Sequence, residues 1–276
     1  MLPLLSYDIL NLIVQKYLSD FDVLRGLGIT SSDFRRYAKG YTTKRPYSLC
    51  SVMDTTSDVK FVDVYADTFY LDDLYHSNHE KYIEKMKHCT AFTFWMCYDF
   101  FTPTTFVSQW IPKSIKVLRI DSRFRSMSEY VKGMITEFVK GIPDTIEEIV
   151  FINQGIYQYI LPKSIKKISF VGDVCVMKFH IPDHVTELQF DTCMHLDLFG
   201  VIKPHIKILH LQHYSGYIHV PDTLEEVHFK EYPNNWTGGV NVSKHSIKYF
   251  CNGIQLQTNI VDNNVNENPA KKQRVE

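Results

Sequence analysis

The chain of 276 residues is 45% hydrophobic and 14% aromatic, and its 30 Lys and Arg balance 31 Asp and Glu to a formal net charge of −1. That length allows one elongated domain or two smaller ones with a sizeable core, and the charge balance leaves no electrostatic footprint for nucleic acid or a membrane surface. No apolar run approaches the roughly 18 residues that span a bilayer. The opening MLPLLSYDILNLIV carries Asp8 and lacks a basic leader, and the cysteines (Cys50, Cys89, Cys97, Cys175, Cys193 and Cys251) include no CxxC pair. The expectation is a soluble intracellular chain with reduced, mostly buried thiols.

Residues 1–45 have a helical period. Ile9, Leu10, Ile13, Val14, Tyr17 and Leu18 recur at helical spacing, behind Ser6 as N-cap and with Asp8 in the first turn. Ser19 with Asp22 has capping-box spacing ahead of FDVLRGL, and Thr30 with Asp33 has it again ahead of a short helix that Gly40 can stop. Three helices this short make a thin core, and an apolar side left over is a natural place for a partner.

Residues 46–110 carry two alternating segments, DVKFVDVYA around Val62 and Val64 and HCTAFTFWM around Phe92 and Phe94. They fit either degenerate repeats that begin a stack or an unrelated linker.

From residue 111 a frame returns: [ILV]-P-x-x-[IVL]-x-x-[ILV]-x-[FIL]. It appears as IPKSIKVLRI, IPDTIEEIVF, LPKSIKKISF, IPDHVTELQF and VPDTLEEVHF, starting at Ile111, Ile142, Leu161, Ile181 and Val220. IKPHIKILHL from Ile202 has its proline one place late, and VSKHSIKYF from Val242 has lost it. The interior anchors Ile115, Ile146, Ile165, Val185, Ile206, Leu224 and Ile247 are spaced 31, 19, 20, 21, 18 and 23 residues apart. The first gap holds SMSEYVKGMITEFVKG, which reads as a helix with a capping box at Ser126 and Glu129. A unit near 20 residues is too short to fold alone, but stacked copies share a continuous core. The last two apolar letters alternate with polar ones, the period of a short strand with one buried face, and the proline sits just before it. Residues 111–252 are therefore expected to form a narrow, mainly β solenoid with a parallel sheet, and residues 253–276, which end in the polar run NNVNENPAKKQRVE, a disordered tail.

Charges alternate between copies. The residue after each anchor gives Lys116, Glu147, Lys166, Thr186, Lys207, Glu225 and Lys248, and the residue after proline gives Lys113, Asp144, Lys163 and Asp183. Three buried apolar side chains per copy, worth roughly 1.5–3 kcal/mol each, outweigh any exposed ion pair. The alternation is expected to fix which copy sits beside which, with Lys163, Lys166 and Lys167 facing the acids of residues 144–148 and 183–187. On the solvent side the strands present Arg119, Val150, Ser169, Gln189, His210 and His228, with Asp121, Ile152, Asp191, Gln212 and Lys230 two places on. Concave repeat faces commonly bind proteins. Arg119, Asp121, Gln189, Asp191, His210, Gln212, His228 and Lys230 are accordingly the candidate target contacts. His210 and His228 occupy the same strand position in adjacent copies and are either surface histidines or a metal- or pH-sensitive contact.

The N-terminal string LSYDILNLIVQKYLSDFDVLRGLGITSSDFRRYA resembles an F-box. Leu5 stands at the opening leucine, Asp8, Ile9 and Leu10 at the acidic-apolar step, Asp22, Val23 and Leu24 in the second helix, and Phe34, Arg35 and Arg36 in the third. Ser6 occupies the usual proline position. The downstream frame is similar to FNIP repeats, a leucine-rich-repeat relative found beside F-boxes in social amoebae and giant DNA viruses, with Phe179 two places before Ile181 and His180 in place of the polar pair.

Together these imply an α+β chain: a three-helix F-box-like unit followed by a leucine-rich-repeat-like solenoid. The resemblance implies docking through Leu5, Ile9, Leu10, Ile13, Leu18 and Leu24 on the Skp-type adaptor of a cullin-RING ubiquitin ligase while the repeats hold a target protein. A monomer in the cytoplasm or nucleus is expected. The alternative is a scaffold or decoy whose helices only cap the stack. No GxSxG, HExxH, phosphate-binding glycine loop or paired-cysteine zinc motif occurs, so neither an enzyme nor a cofactor or metal site is expected.

Overall fold

The computed structural model describes residues 41–54, 59–95, 111–121, 139–153, 160–172, 181–191, 202–212, 218–230, 240–241 and 247–256. The three N-terminal helices expected over residues 6–40, the helix expected from Ser126 apart from its helical end at residues 139–140, and the tail from residue 257 lie outside them, and so do Leu5, Ile9, Leu10, Ile13, Leu18 and Leu24. The chain divides into two compact units, Met1–Ile120 and Asp121–Glu276. Both are built mainly on parallel strands laid down in chain order, with two helices in the first.

The first unit contains β1 (Tyr47–Ser48), α1 (Leu49–Asp54), β2 (Asp63–Asp67), α2 (Thr68–Met86), β3 (Ala91–Trp95) and β4 (Val117–Asp121), whose last residue passes the division. β1 pairs parallel with β2 and β2 with β3, which sets Val64 beside Phe92 and Ala66 beside Phe94. Parallel neighbours need a crossover, and α1 and α2 lie in those connections. All four of these side chains are buried, together with Leu118 and Ile120 of β4 and with Tyr41, Phe61, Tyr82 and Met86. The core pair around Val64 is thus Val64 and Ala66, whereas Val62 precedes the strand and is half-buried. α2 has little signature in the amino-acid sequence. Its apolar period is weak and it is broken at Asn78, where φ is −146° and ψ is 37°.

The second unit holds β5 (Glu148–Ile152), β6 (Lys167–Val171), β7 (Glu187–Asp191), β8 (Ile208–Gln212), β9 (Ile218–His219), β10 (Glu226–Phe229), β11 (Val240–Asn241), β12 (Lys248–Cys251) and β13 (Ile254–Leu256). Its main sheet runs in the order β5-β6-β7-β8-β10-β12-β13, while β9 and β11 form a separate parallel pair. Five of its repeats enter their strands through the same turn. The anchor N–H donates to the carbonyl three residues back: Ile146 to Pro143 at 3.1 Å, Ile165 to Pro162 at 3.2 Å, Val185 to Pro182 at 3.0 Å and Leu224 to Pro221 at 3.0 Å. Ile206 does the same to Lys203 at 3.0 Å, so the late Pro204 falls on the second residue of the turn, a position that also suits its fixed φ. A displaced proline therefore leaves the geometry intact.

Register follows the sequence frame. Ile149, Ile168, Leu188, Leu209, Val227 and Tyr249 form one row, and Phe151, Phe170, Phe190, Leu211, Phe229 and Cys251 the next. Within the second row Phe170 stacks on Phe151 at 6.0 Å and on Phe190 at 5.1 Å between ring centroids. The leading residues Ile142, Leu161, Ile181, Ile202 and Val220 are buried as well as the anchors, so each of these copies gives the core four side chains and not three. The row after the anchor is also set side by side: Lys166 N–H donates to Glu147 O, Thr186 to Lys166, Lys207 to Thr186 and Glu225 to Lys207, all at 2.8–2.9 Å.

Two expectations need correction at the end of the stack. Lys248 stands opposite Glu226 in the ladder, while its N–H still donates to Glu225 O at 2.9 Å, because VSKHSIKYF is one letter short and its Ile247 is still drawn into the core. Residues 254–256 belong to the sheet and not to the tail. Asn252 and Gly253, with φ of 50° and 78°, form a two-residue turn that sends β13 back antiparallel along β12.

Candidate protein-binding face

The side chains of β5 to β12 that point away from the core fall into three rows. The first contains Glu148, Lys167, Glu187, Ile208, Glu226 and Lys248; the second Val150, Ser169, Gln189, His210, His228 and Phe250; the third Ile152, Val171, Asp191 and Gln212. Because parallel strands repeat at about 4.8 Å, successive members of a row stand side by side.

The first row is an interlock of charge. Lys167 Nζ lies 3.1 Å from Glu187 and 3.7 Å from Glu148, with all three side chains about one quarter exposed. Ser169 Oγ donates to Glu148 Oε1 at 2.8 Å, and Lys248 Nζ reaches Glu226 at 3.9 Å. The expected role of Lys167, facing acids on both sides, is realised here. Lys207 and Glu225 add an ion pair of 3.0 Å in the more exposed row after the anchors.

The charged row fastens the second row. His210 Nε2 sits 2.8 Å from Glu187 Oε1, and His228 Nε2 sits 3.0 Å from Glu226 Oε2. The rings of His210 and His228 stack at 4.5 Å and 22°, and His228 stacks on Phe250 at 4.5 Å and 6°. The hydrogen bond from His210, joined by Lys167 and opposed by partial burial, holds the Glu187 carboxyl down at about 2. A carboxylate on each imidazole fixes its ring plane, so three planar groups are held parallel at the end of the sheet.

The structure brings together Gln189, His210 and His228 in one row and Asp191 with Gln212 in the next. Gln189 and Gln212 make no side-chain hydrogen bond among the described residues, which leaves their amides open to a partner. Lys230 is exposed just beyond β10, its N–H donating to Leu211 O at 3.3 Å. Asp121 is half-buried at the end of β4. Two residues of the expected exposed row are corrected: Val150 is 7% exposed and Ser169 only 1%. Arg119 belongs to the first unit and already holds Asp63, its Nη1 lying 2.9 Å from both carboxylate oxygens. Burial raises the Asp63 pKa, although Arg119 acts against it. Glu187, Glu226 and Phe250 were not singled out in the sequence; the seventh letter of the frame, charged in most copies, was the signal for the two acids.

No family model matches the chain. Nor does any curated protein or solved structure. What the face can do therefore rests on its own chemistry. Among the described residues no group of three or more His, Cys, Asp or Glu is placed to hold a metal ion. His180 lies outside the described residues. The face offers ring edges, open amides and a flanking lysine on a rigid sheet, which is the chemistry of recognition by hydrogen bonding and flat contact.

Proposed function

We propose that the chain is a target-recognition subunit of a Skp-cullin-F-box type ubiquitin ligase. The F-box-like segment, through Leu5, Ile9, Leu10, Ile13, Leu18 and Leu24, docks on a Skp-type adaptor. The outer sheet face of the repeats, centred on Gln189, His210, Gln212 and His228, holds a target protein. The ligase then transfers ubiquitin to a target kept nearby, so the contribution of this chain is proximity. The observation that carries the reading is the order of the modules: an F-box-like string followed by repeats that present open amides and stacked rings on a rigid sheet.

Co-purification tests it. Wild-type protein is expected to retain a Skp-type adaptor, and Ile9→Asp with Leu10→Asp to lose it while the repeats stay folded. Retention unchanged by that double substitution would sink the idea. Deleting residues 1–45 separates it from the scaffold reading: a stable repeat unit without adaptor supports the F-box, whereas loss of folding supports a cap. Gln212→Ala with His228→Ala is expected to weaken target capture without affecting the adaptor.

A further inference from the structure

We propose that β13 is the contact strand of a two-fold homodimer, its outer edge pairing antiparallel with β13 of a second copy of the chain. β13 is the last strand of its sheet, and among the described residues no strand covers its outer side. In a two-residue hairpin the residues flanking the turn, here Cys251 and Ile254, exchange both of their main-chain hydrogen bonds. The N–H and C=O of Ile254 and Leu256 are therefore turned toward β12, and Gln255 alone directs its N–H and C=O outward.

That single outward pair is self-complementary. With Gln255 on a two-fold axis, its N–H and C=O meet the C=O and N–H of Gln255 in the second copy, and Ile254 falls opposite Leu256 of that copy. The side chains favour the same arrangement. Ile254 shares a sheet face with Cys251 and so extends the core row that runs through Phe190 and Phe229, yet it is 71% exposed. Pairing would lay a second strand alongside it. The turn and strand NGIQL, residues 252–256, contain no charged residue and no proline, the usual devices by which an edge strand resists pairing. Two identical uncharged edges meet without repulsion, which is why a second copy is the occupant that fits.

The contact is short, so the dimer should be weak and dependent on concentration. Sedimentation of the full chain over a wide concentration range is expected to show a monomer–dimer equilibrium. Gln255→Pro removes the outward N–H and should weaken it at least about tenfold. Gln255→Lys keeps the N–H, sets like charges across the axis, and should weaken it as well. Both changes are at an exposed position, and an unchanged circular dichroism spectrum confirms that the fold survives. Gln255→Cys should form a disulfide-linked dimer on mild oxidation. A wild-type chain that remains monomeric throughout, or a dimer indifferent to both Gln255→Pro and Gln255→Lys, overturns the proposal.

Discussion

Replacing Lys167 by Glu tests whether charge fixes the order of the strands. Lys167 lies 3.1 Å from Glu187 and 3.7 Å from Glu148, each about one quarter exposed. The substitution removes two attractive contacts and creates two like-charge neighbours across strands about 4.8 Å apart. A cross-strand charge pair contributes about 0.2–1 kcal/mol and a like pair opposes by a similar amount. Four such changes sum to about 1–4 kcal/mol, a large share of the ~5–15 kcal/mol that holds a typical domain folded. Urea unfolding of the full chain measures it. Lys163→Glu is the control: Lys163 is exposed, and a change there should stay within about 0.5 kcal/mol. Adding Glu148→Lys to Lys167→Glu restores attraction on one side only and should recover about half the loss. If Lys167→Glu and Lys163→Glu unfold at the same urea concentration, or Glu148→Lys restores nothing, the apolar rows set the register unaided.

Other outcomes follow from the same geometry. The Glu187 pKa is held at about 2 in the folded protein, below its ordinary 4.5. Its stabilisation is therefore fully present above pH 4.5 and is lost as pH falls from 4.5 to 2. It should amount to about 1–3 kcal/mol, so the stability difference between wild type and Glu187→Gln should shrink over that window; a constant difference in acid titrations refutes the assignment. Phe170→Ala opens a gap between Phe151 and Phe190 and should lower stability by about 3–5 kcal/mol in the same unfolding assay. Gly172 has φ of +80°, and a methyl group there would lie 2.1 Å from Asn153 Oδ1. Gly172→Ala should lower stability by about 1–2 kcal/mol, and Asn153→Gly in that background should recover only the part due to contact, as thermal unfolding can show.

The apolar letters of the frame were enough to place the strands, their common register and the core. Ile168 and Phe170 read as inward-facing in LPKSIKKISF, and each is found in its row; His210 and His228 were matched by position and are found stacked. This was possible because strand period and repeat length are local properties, visible in one copy and multiplied by the next. Other features depended on neighbours. Val150 and Ser169 read as exposed because alternation cannot tell which outward side chains are covered. Arg119 read as an exposed target contact because Asp63, which holds it, lies 56 residues away. Lys248 slipped one row because a missing letter is invisible until Ile247 is placed in the core. β13 is not legible in the sequence because the repeat frame ends at Asn252 and nothing in it marks Ile254–Leu256 as a further strand. The amino-acid sequence by itself determined which faces are apolar and how copies align. Only the tertiary structure decided which charge meets which ring, because Glu187 holds both Lys167 and His210 only when three strands from separate repeats stand side by side.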